Sequence, residues 1–146
     1  MAGQEALGRV LNIIPIAAGK PFRLRNASCA MVCVTGATAA PTLNERQTFG
    51  GADTALPVIK TVYWATATDG TVAWNKLILA AAVSTFTNGT TTGLTTAVMT
   101  VFHVFTSQLS DPFAYLNVVM GAGLATVVLT DLTVQRGPAN LEILGA

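Results

Sequence analysis

The chain has 146 residues and a formal net charge of +1, which is long enough for one domain that buries about 70% of its unfolded surface. So small a charge provides no electrostatic footprint for nucleic acid or an anionic membrane, and neither is expected as a partner. The mean hydropathy is high, at +0.55. However, the apolar runs at residues 77–83 and 118–129 are shorter than the roughly 20 residues that a membrane-spanning helix needs.

The N-terminal third predicts an arm followed by short strands. Residues 1–9 are small and polar, without the basic start and apolar core of a secretory signal, so synthesis in a cytoplasm is expected. Residues 10–17 predict a strand that Pro15 confines to a sheet edge or a strand end. Residues 22–26 alternate, which places Arg23 and Arg25 on the side opposite Phe22.

Two cysteines lie in the next predicted strand. Cys29 and Cys33 would share one face about 13 Å apart, because each strand residue rises about 3.3 Å. That separation is too long for a disulfide. The pair also lacks the ligands of a zinc site, so both are expected to pack as small apolar side chains.

Residues 36–56 lose all periodicity and predict a long loop, a feature that is usually functional or reaches a partner. Beyond it, residues 58–66 and 71–83 predict a hairpin turned at Asp69-Gly70. A helix over residues 76–82 is the alternative, disfavoured by the β-branched run that follows. Asn88-Gly89 marks a second hairpin tip in a run with seven threonines, residues 84–96.

Residues 97–136 are the segment on which the predicted fold and interface mainly depend. They read as strands at 98–106, 114–120 and 126–135, joined by Ser110-Asp111-Pro112 and Gly121-Ala122-Gly123, which predicts an antiparallel meander. In the first strand both faces are apolar. Such a strand is either central in a sandwich or covered by another subunit.

Charge is nearly absent from this region. Residues 77–130 contain no Lys, Arg or Glu, and Asp111 is the one formal charge. Neutral, threonine-rich strands suit burial against neighbours, since a hydroxyl costs far less to desolvate than a carboxylate. The predicted subunit interface comprises Val98, Met99, Val101, Phe102, His103, Phe105, Val127 and Leu129.

No arrangement of residues predicts catalysis, a cofactor or a metal. His103 is the single histidine and lies between Phe102 and Val104 in a strand, where packing is the usual role. The serines fit no nucleophile pattern, and the seven acidic residues are scattered singly. We therefore expect a protein that is not an enzyme.

The fold expected is all-β: a single domain over residues 1–146, an antiparallel β-sandwich or jelly-roll-like core at 10–135 with the long loop at 36–56. The arm (1–9) precedes it, and a docked C-terminal tail (136–146) follows. With its final strands running into LTVQRGPANL at residues 132–141, the chain resembles the small decoration (cement) proteins of tailed-bacteriophage capsids.

That resemblance implies a structural virion protein on the capsid surface, a homotrimer at junctions between capsomers that binds the major capsid protein and reinforces the shell. The candidates for shell contacts are Arg9, Arg23, Arg25, Arg46 and Arg136, which would make polar contacts, together with Asn140 and Leu141. Two alternatives stay open. One is a tail, neck or fibre component of a phage particle, and the other is a monomeric sandwich that binds a ligand through Trp64, Trp74, Tyr63 and Phe102.

Overall fold

The computed structural model describes residues 11–16, 20–24 and 27–132. The predicted arm and tail lie outside these residues. Within them the chain forms ten strands and a 3-10 turn at Thr106–Gln108. The strands are β1 Leu11–Pro15, β2 Phe22–Arg23, β3 Ala27–Thr35, β4 Pro41–Arg46, β5 Thr54–Ala55, β6 Ile59–Ala65, β7 Asn75–Val83, β8 Met99–Phe105, β9 Tyr115–Met120 and β10 Leu124–Leu132.

The strands form two antiparallel sheets that pack face to face. The large sheet has the order β1-β10-β3-β8-β6-β7, and the small sheet has the order β2-β9-β4-β5. This confirms the prediction of an all-β, antiparallel sandwich. It also places β1 at an edge, with Pro15 as its last residue, as the proline predicts.

Alternation along the central strands builds the core. In β8 the inward side chains are Thr100, Phe102 and Val104, all fully buried. Phe102 packs edge to face against Phe86, with ring centroids 5.7 Å apart. Leu43, Leu116 and Val118 fill the space from the small sheet, and Val32, Val62, Val127 and Leu129 from the large one.

The predicted meander is wrong in its pairing, although all three of its strands exist. β8 pairs with β3 and β6, and β10 pairs with β1 and β3. β9 belongs to the other sheet, between β2 and β4. The chain therefore crosses from one sheet to the other at each of the two turns. The sequence pattern missed this because turn residues show where a strand ends but not which sheet the next strand joins.

The predicted hairpin is confirmed: β6 and β7 pair antiparallel, and residues 76–82 are strand. The turn is longer than predicted, since regular pairing stops at Trp64 opposite Asn75. At the other end a bulge lies between the pairs Ile59–Val83 and Thr61–Ile78. Lys60 Nζ donates to the Ala80 carbonyl oxygen at 2.7 Å there, which ties β6 to β7 across the bulge.

Two segments expected to be loops are ordered parts of the sandwich. Residues 36–56 contain β4 and β5, and Glu45 points inward from β4, which breaks the apolar alternation that would have identified a strand. Asn88-Gly89 is not an exposed tip. Asn88 is fully buried, and its Nδ2 donates to the Gly36 carbonyl oxygen at 3.0 Å, so it ties the connection between β7 and β8 to the start of this segment.

Thr100 gives a stability prediction. Its hydroxyl is buried between the sheets and has no hydrogen-bond partner among the described residues. An unsatisfied buried hydroxyl costs about 1–3 kcal/mol, so Thr100→Val, which replaces it by a methyl group of similar size, should raise the free energy of unfolding by about 1 kcal/mol. Urea denaturation of both proteins measures this, and a loss of stability would mean that the hydroxyl has a partner.

No helix in the described residues is long and apolar enough to cross a membrane.

Candidate functional site

The outer face of the large sheet is a broad surface that the described chain leaves uncovered. Side chains that point away from the core line up across the strands, in rows fixed by the register. One row runs Tyr63, Val101, Cys33, Thr126 and Pro15. The next contains His103, Met31, Val128 and Ile13.

This outer face is apolar and almost uncharged. Five large hydrophobic residues on it are between 37% and 76% exposed: Ile13, Tyr63, Ile78, Phe105 and Leu124. Lys60 and Lys76, on β6 and β7, are the lysines on this side of the sheet, and the outward residues in the described register of β1, β10, β3 and β8 include no lysine, arginine or acidic residue. A soluble monomer rarely leaves so broad an apolar surface in water.

The structure separates the predicted interface residues into two groups. Met99, Val101, His103 and Phe105 lie on the outer face, and Val98 precedes them at the start of β8. Phe102, Val127 and Leu129 are instead fully buried in the core of the same chain. The second apolar face of β8 is thus covered by the small sheet.

The two cysteines do not indicate a reactive or metal-binding site on this face. Neither Cys29 nor Cys33 forms a disulfide in the described part of the chain. Burial raises the pKa of the Cys33 thiol, so the thiol stays protonated at neutral pH and packs as a small apolar group. In the described part of the chain no three His, Cys, Asp or Glu residues are grouped to hold a metal ion.

A groove of about 280 Å³ borders the outer face where β6, β7 and the end of β8 meet. Its polar lining is Lys60, Thr61, Tyr63, Lys76, His103 and Gln108. The Tyr63 and His103 rings meet edge to face, with centroids 6.3 Å apart. Gln108 Oε1 accepts a hydrogen bond from the Phe105 N–H at 2.8 Å, which leaves the amide nitrogen available as a donor.

The small sheet has an outer side of a different kind, because residues 47–53 fold over it. Arg46 donates from two nitrogens to the Asp53 carboxylate, and its Nη1 donates to the Phe49 carbonyl oxygen at 3.1 Å. Asn117 Nδ2 donates to Asp53 Oδ1 at 2.9 Å. Phe49 packs edge-on against Tyr115, 6.5 Å between centroids. These contacts cover the small sheet within the chain itself.

Two of the predicted shell-contact residues are used inside this network. Arg46 is held by Asp53, and Arg23 Nε donates to the Tyr115 hydroxyl at 2.9 Å while its guanidinium lies 5.0 Å from the centre of that ring. The others, Arg9, Arg25, Arg136, Asn140 and Leu141, lie outside the described residues.

The four aromatic residues of the ligand-binding alternative do not share a cavity. Phe102 is fully buried in the core, whereas Tyr63 points outward from the same sheet. Trp64 packs against the core, and Trp74 is about half exposed in the turn before β7.

Asp53 provides a pH prediction. The hydrogen bond from Arg46, aided by Asn117, holds the pKa of Asp53 below its ordinary value of 3.8 despite partial burial. A carboxyl whose pKa is lower in the folded state stabilises the fold above its unfolded pKa, and this contribution disappears as the pH falls through the folded pKa.

We therefore expect Asp53→Asn to reduce stability at pH 7 and to make the decline below about pH 4 shallower. Thermal melts from pH 7 to pH 2 measure both effects. Asp111→Asn is the control, because Asp111 is exposed and makes no hydrogen bond in the described part of the chain. Parallel profiles for Asp53→Asn and the parent would contradict the prediction.

Comparisons with known proteins add no assignment: no protein-family model, curated protein or solved structure matches this chain.

Proposed function

We propose that the protein is a structural subunit that self-associates through the outer face of its large sheet and decorates the outside of a phage capsid shell. The observation that carries this proposal is the outer face itself, which is apolar, nearly uncharged and left uncovered by the described residues, whereas residues 47–53 cover the Tyr115 and Asn117 part of the small sheet.

The outer face is the right size for contacts with neighbouring copies of the chain. Six strands about 4.8 Å apart and about 24 Å long span roughly 700 Å². A stable protein interface buries about 800 Å² on each partner. At about 25 cal/mol per Å² of apolar area, burial of this size exceeds typical association costs when packing is close.

A second copy also fits the chemistry of the face. Two neutral surfaces can be desolvated together at little cost, whereas a strongly charged partner would bury its charges opposite apolar side chains. The resemblance to capsid decoration proteins favours a trimer, which binds the major capsid protein and reinforces the shell. In this proposal the protein is made in the host cytoplasm, resides on the virion surface and needs no cofactor, nucleic acid or membrane.

The first test is the solution mass by light scattering after size exclusion, over a hundredfold range of concentration. We expect a mass near three times the 15.1 kDa of one chain. A monomer at every concentration contradicts self-association. A larger ring would instead favour the tail, neck or fibre alternative.

The second test is binding to shells of the phage that encodes the chain, prepared without this protein. Co-sedimentation at saturation and a higher temperature of shell disruption are the expected results. Shells that neither bind the protein nor gain stability would contradict decoration, even if the protein is an oligomer.

A further inference from the structure

The positive charges of the described chain divide into those used internally and those left free. Arg46 is paired with Asp53, and Arg23 is engaged by Tyr115. Lys60 and Lys76 have no carboxylate partner in the described residues, and both line the groove between β6, β7 and the end of β8. None of the described residues that line the groove carries a carboxylate.

We propose that this groove binds a carboxylate-bearing, extended segment of the protein that the subunit decorates. The identity of that partner rests on the proposed function, but the chemistry of the groove does not. Its polar groups include two ammonium groups and the Gln108 amide nitrogen, which only donate, and the Tyr63 and Thr61 hydroxyls, which can also donate.

The ammonium group of Lys60 is already held in position in the groove. The hydrogen bond from Lys60 Nζ to the Ala80 carbonyl oxygen holds the ammonium at the β-bulge and leaves two of its protons for a ligand. An ammonium that is already positioned loses less side-chain entropy on binding than a free one.

The walls of the groove suit a segment that also carries apolar residues. Phe105 is half exposed there, and the edge-to-face pair of Tyr63 and His103 forms a rigid surface beside it. The groove takes up the side of the outer face formed by β6, β7 and the end of β8, whereas β1, β10 and β3 form the other side. A subunit can therefore join its neighbours chiefly through β1, β10 and β3 and receive the acidic segment in the groove.

The test uses the full chain and fluorescein-labelled hexaglutamate as the probe, with binding followed by fluorescence anisotropy at low salt. We expect saturable binding that Lys76→Gln weakens about fivefold, as for one partly exposed charge pair. Lys20→Gln is the matched control: it removes the same charge from an exposed lysine outside the groove and should change binding less than twofold.

Absence of binding, or an equal loss in Lys76→Gln and Lys20→Gln, overturns the inference, because the attraction would then depend only on net charge. Labelled hexalysine should not bind, and binding of it would also overturn the inference.

The variants also separate this inference from the proposed function. An oligomer in which Lys76→Gln and the parent bind shells equally well would overturn the acidic-segment site and leave decoration standing. A monomer that does not bind shells but binds hexaglutamate through Lys76 would overturn the proposed decoration and support the acidic-segment site in the groove.

Discussion

Replacing Val128 by glutamate is expected to convert the oligomer into monomers. Val128 lies in the middle of the outer face on β10, between Met31 of β3 and Ile13 of β1, and it is only partly exposed. In the assembled state Val128→Glu would bury a carboxylate without a partner, which costs several kcal/mol. A cost of about 3 kcal/mol weakens association more than a hundredfold.

Val119→Glu is the matched control. Val119 is also a partly exposed, outward valine on an inner strand, but it belongs to β9 in the small sheet. We expect this variant to keep the mass of the parent. Light scattering measures the mass, and thermal melts check that both variants fold. Equal masses for parent and Val128→Glu would contradict assembly through the outer face, and dissociation by Val119→Glu alone would place the interface on the other sheet.

Much of the architecture was predictable because it depends on local pattern. Alternation in β8 and β-branched runs in β10 identify strands, and the turn residues between them mark where each strand ends. Their partners were not predictable. β3 lies between β10 and β8, and the contacts that select this order join residues about seventy or more positions apart, such as Met31 with His103 and Val128.

Periodicity also fails where polar residues are buried. Glu45 points into the core side of the small sheet, where its carboxylate accepts a hydrogen bond from the Ser110 N–H at 2.8 Å. Asn117 is fully buried on the opposite side because Asp53 folds over it. Glu45 lies in a segment that was expected to be a loop, and the partners of both side chains, Ser110 and Asp53, are more than sixty positions away in the sequence. Asn117 Oδ1 has no hydrogen-bond partner among the described residues.

The candidate site, too, was predictable where it depends on local sequence and not where it depends on distant contacts. The neutral, apolar character of residues 97–130 identifies the outer face, but sequence alone assigns both faces of β8 to the interface, since it does not show that the small sheet covers one of them. The arginines were expected to make outside contacts, and Arg23 and Arg46 are engaged within the chain. Lys60 and Lys76 were missed because they come together only when β6 pairs with β7.

Gly123→Ala is expected to lower the free energy of unfolding more than the same substitution at any other described glycine. Gly123 precedes β10 at the turn where the chain passes from the small sheet to the large one, and its φ is +80°. A Cβ at this position would lie 2.5 Å from the Thr35 carbonyl oxygen and 2.6 Å from the Ala39 Cβ. Neither atom is the end of a flexible side chain, so the backbone itself has to move.

Gly70→Ala separates the two causes of this loss. Gly70 has a similar φ of +76°, but a Cβ there would meet nothing within 4 Å. It should therefore show only the cost of a left-handed alanine, about 1 kcal/mol. Gly123→Ala adds the overlap with Thr35 and Ala39, for a total of about 4 kcal/mol.

Urea denaturation of the two variants gives the difference directly. A similar, small loss in both would show that β3 and the turn can separate without cost, and the outer face could then not be held rigid at its Thr35 and Leu124 end. A much larger loss in Gly123→Ala shows that close packing at this crossing fixes the register of β10 against β3, on which the alignment of the outer-face rows depends.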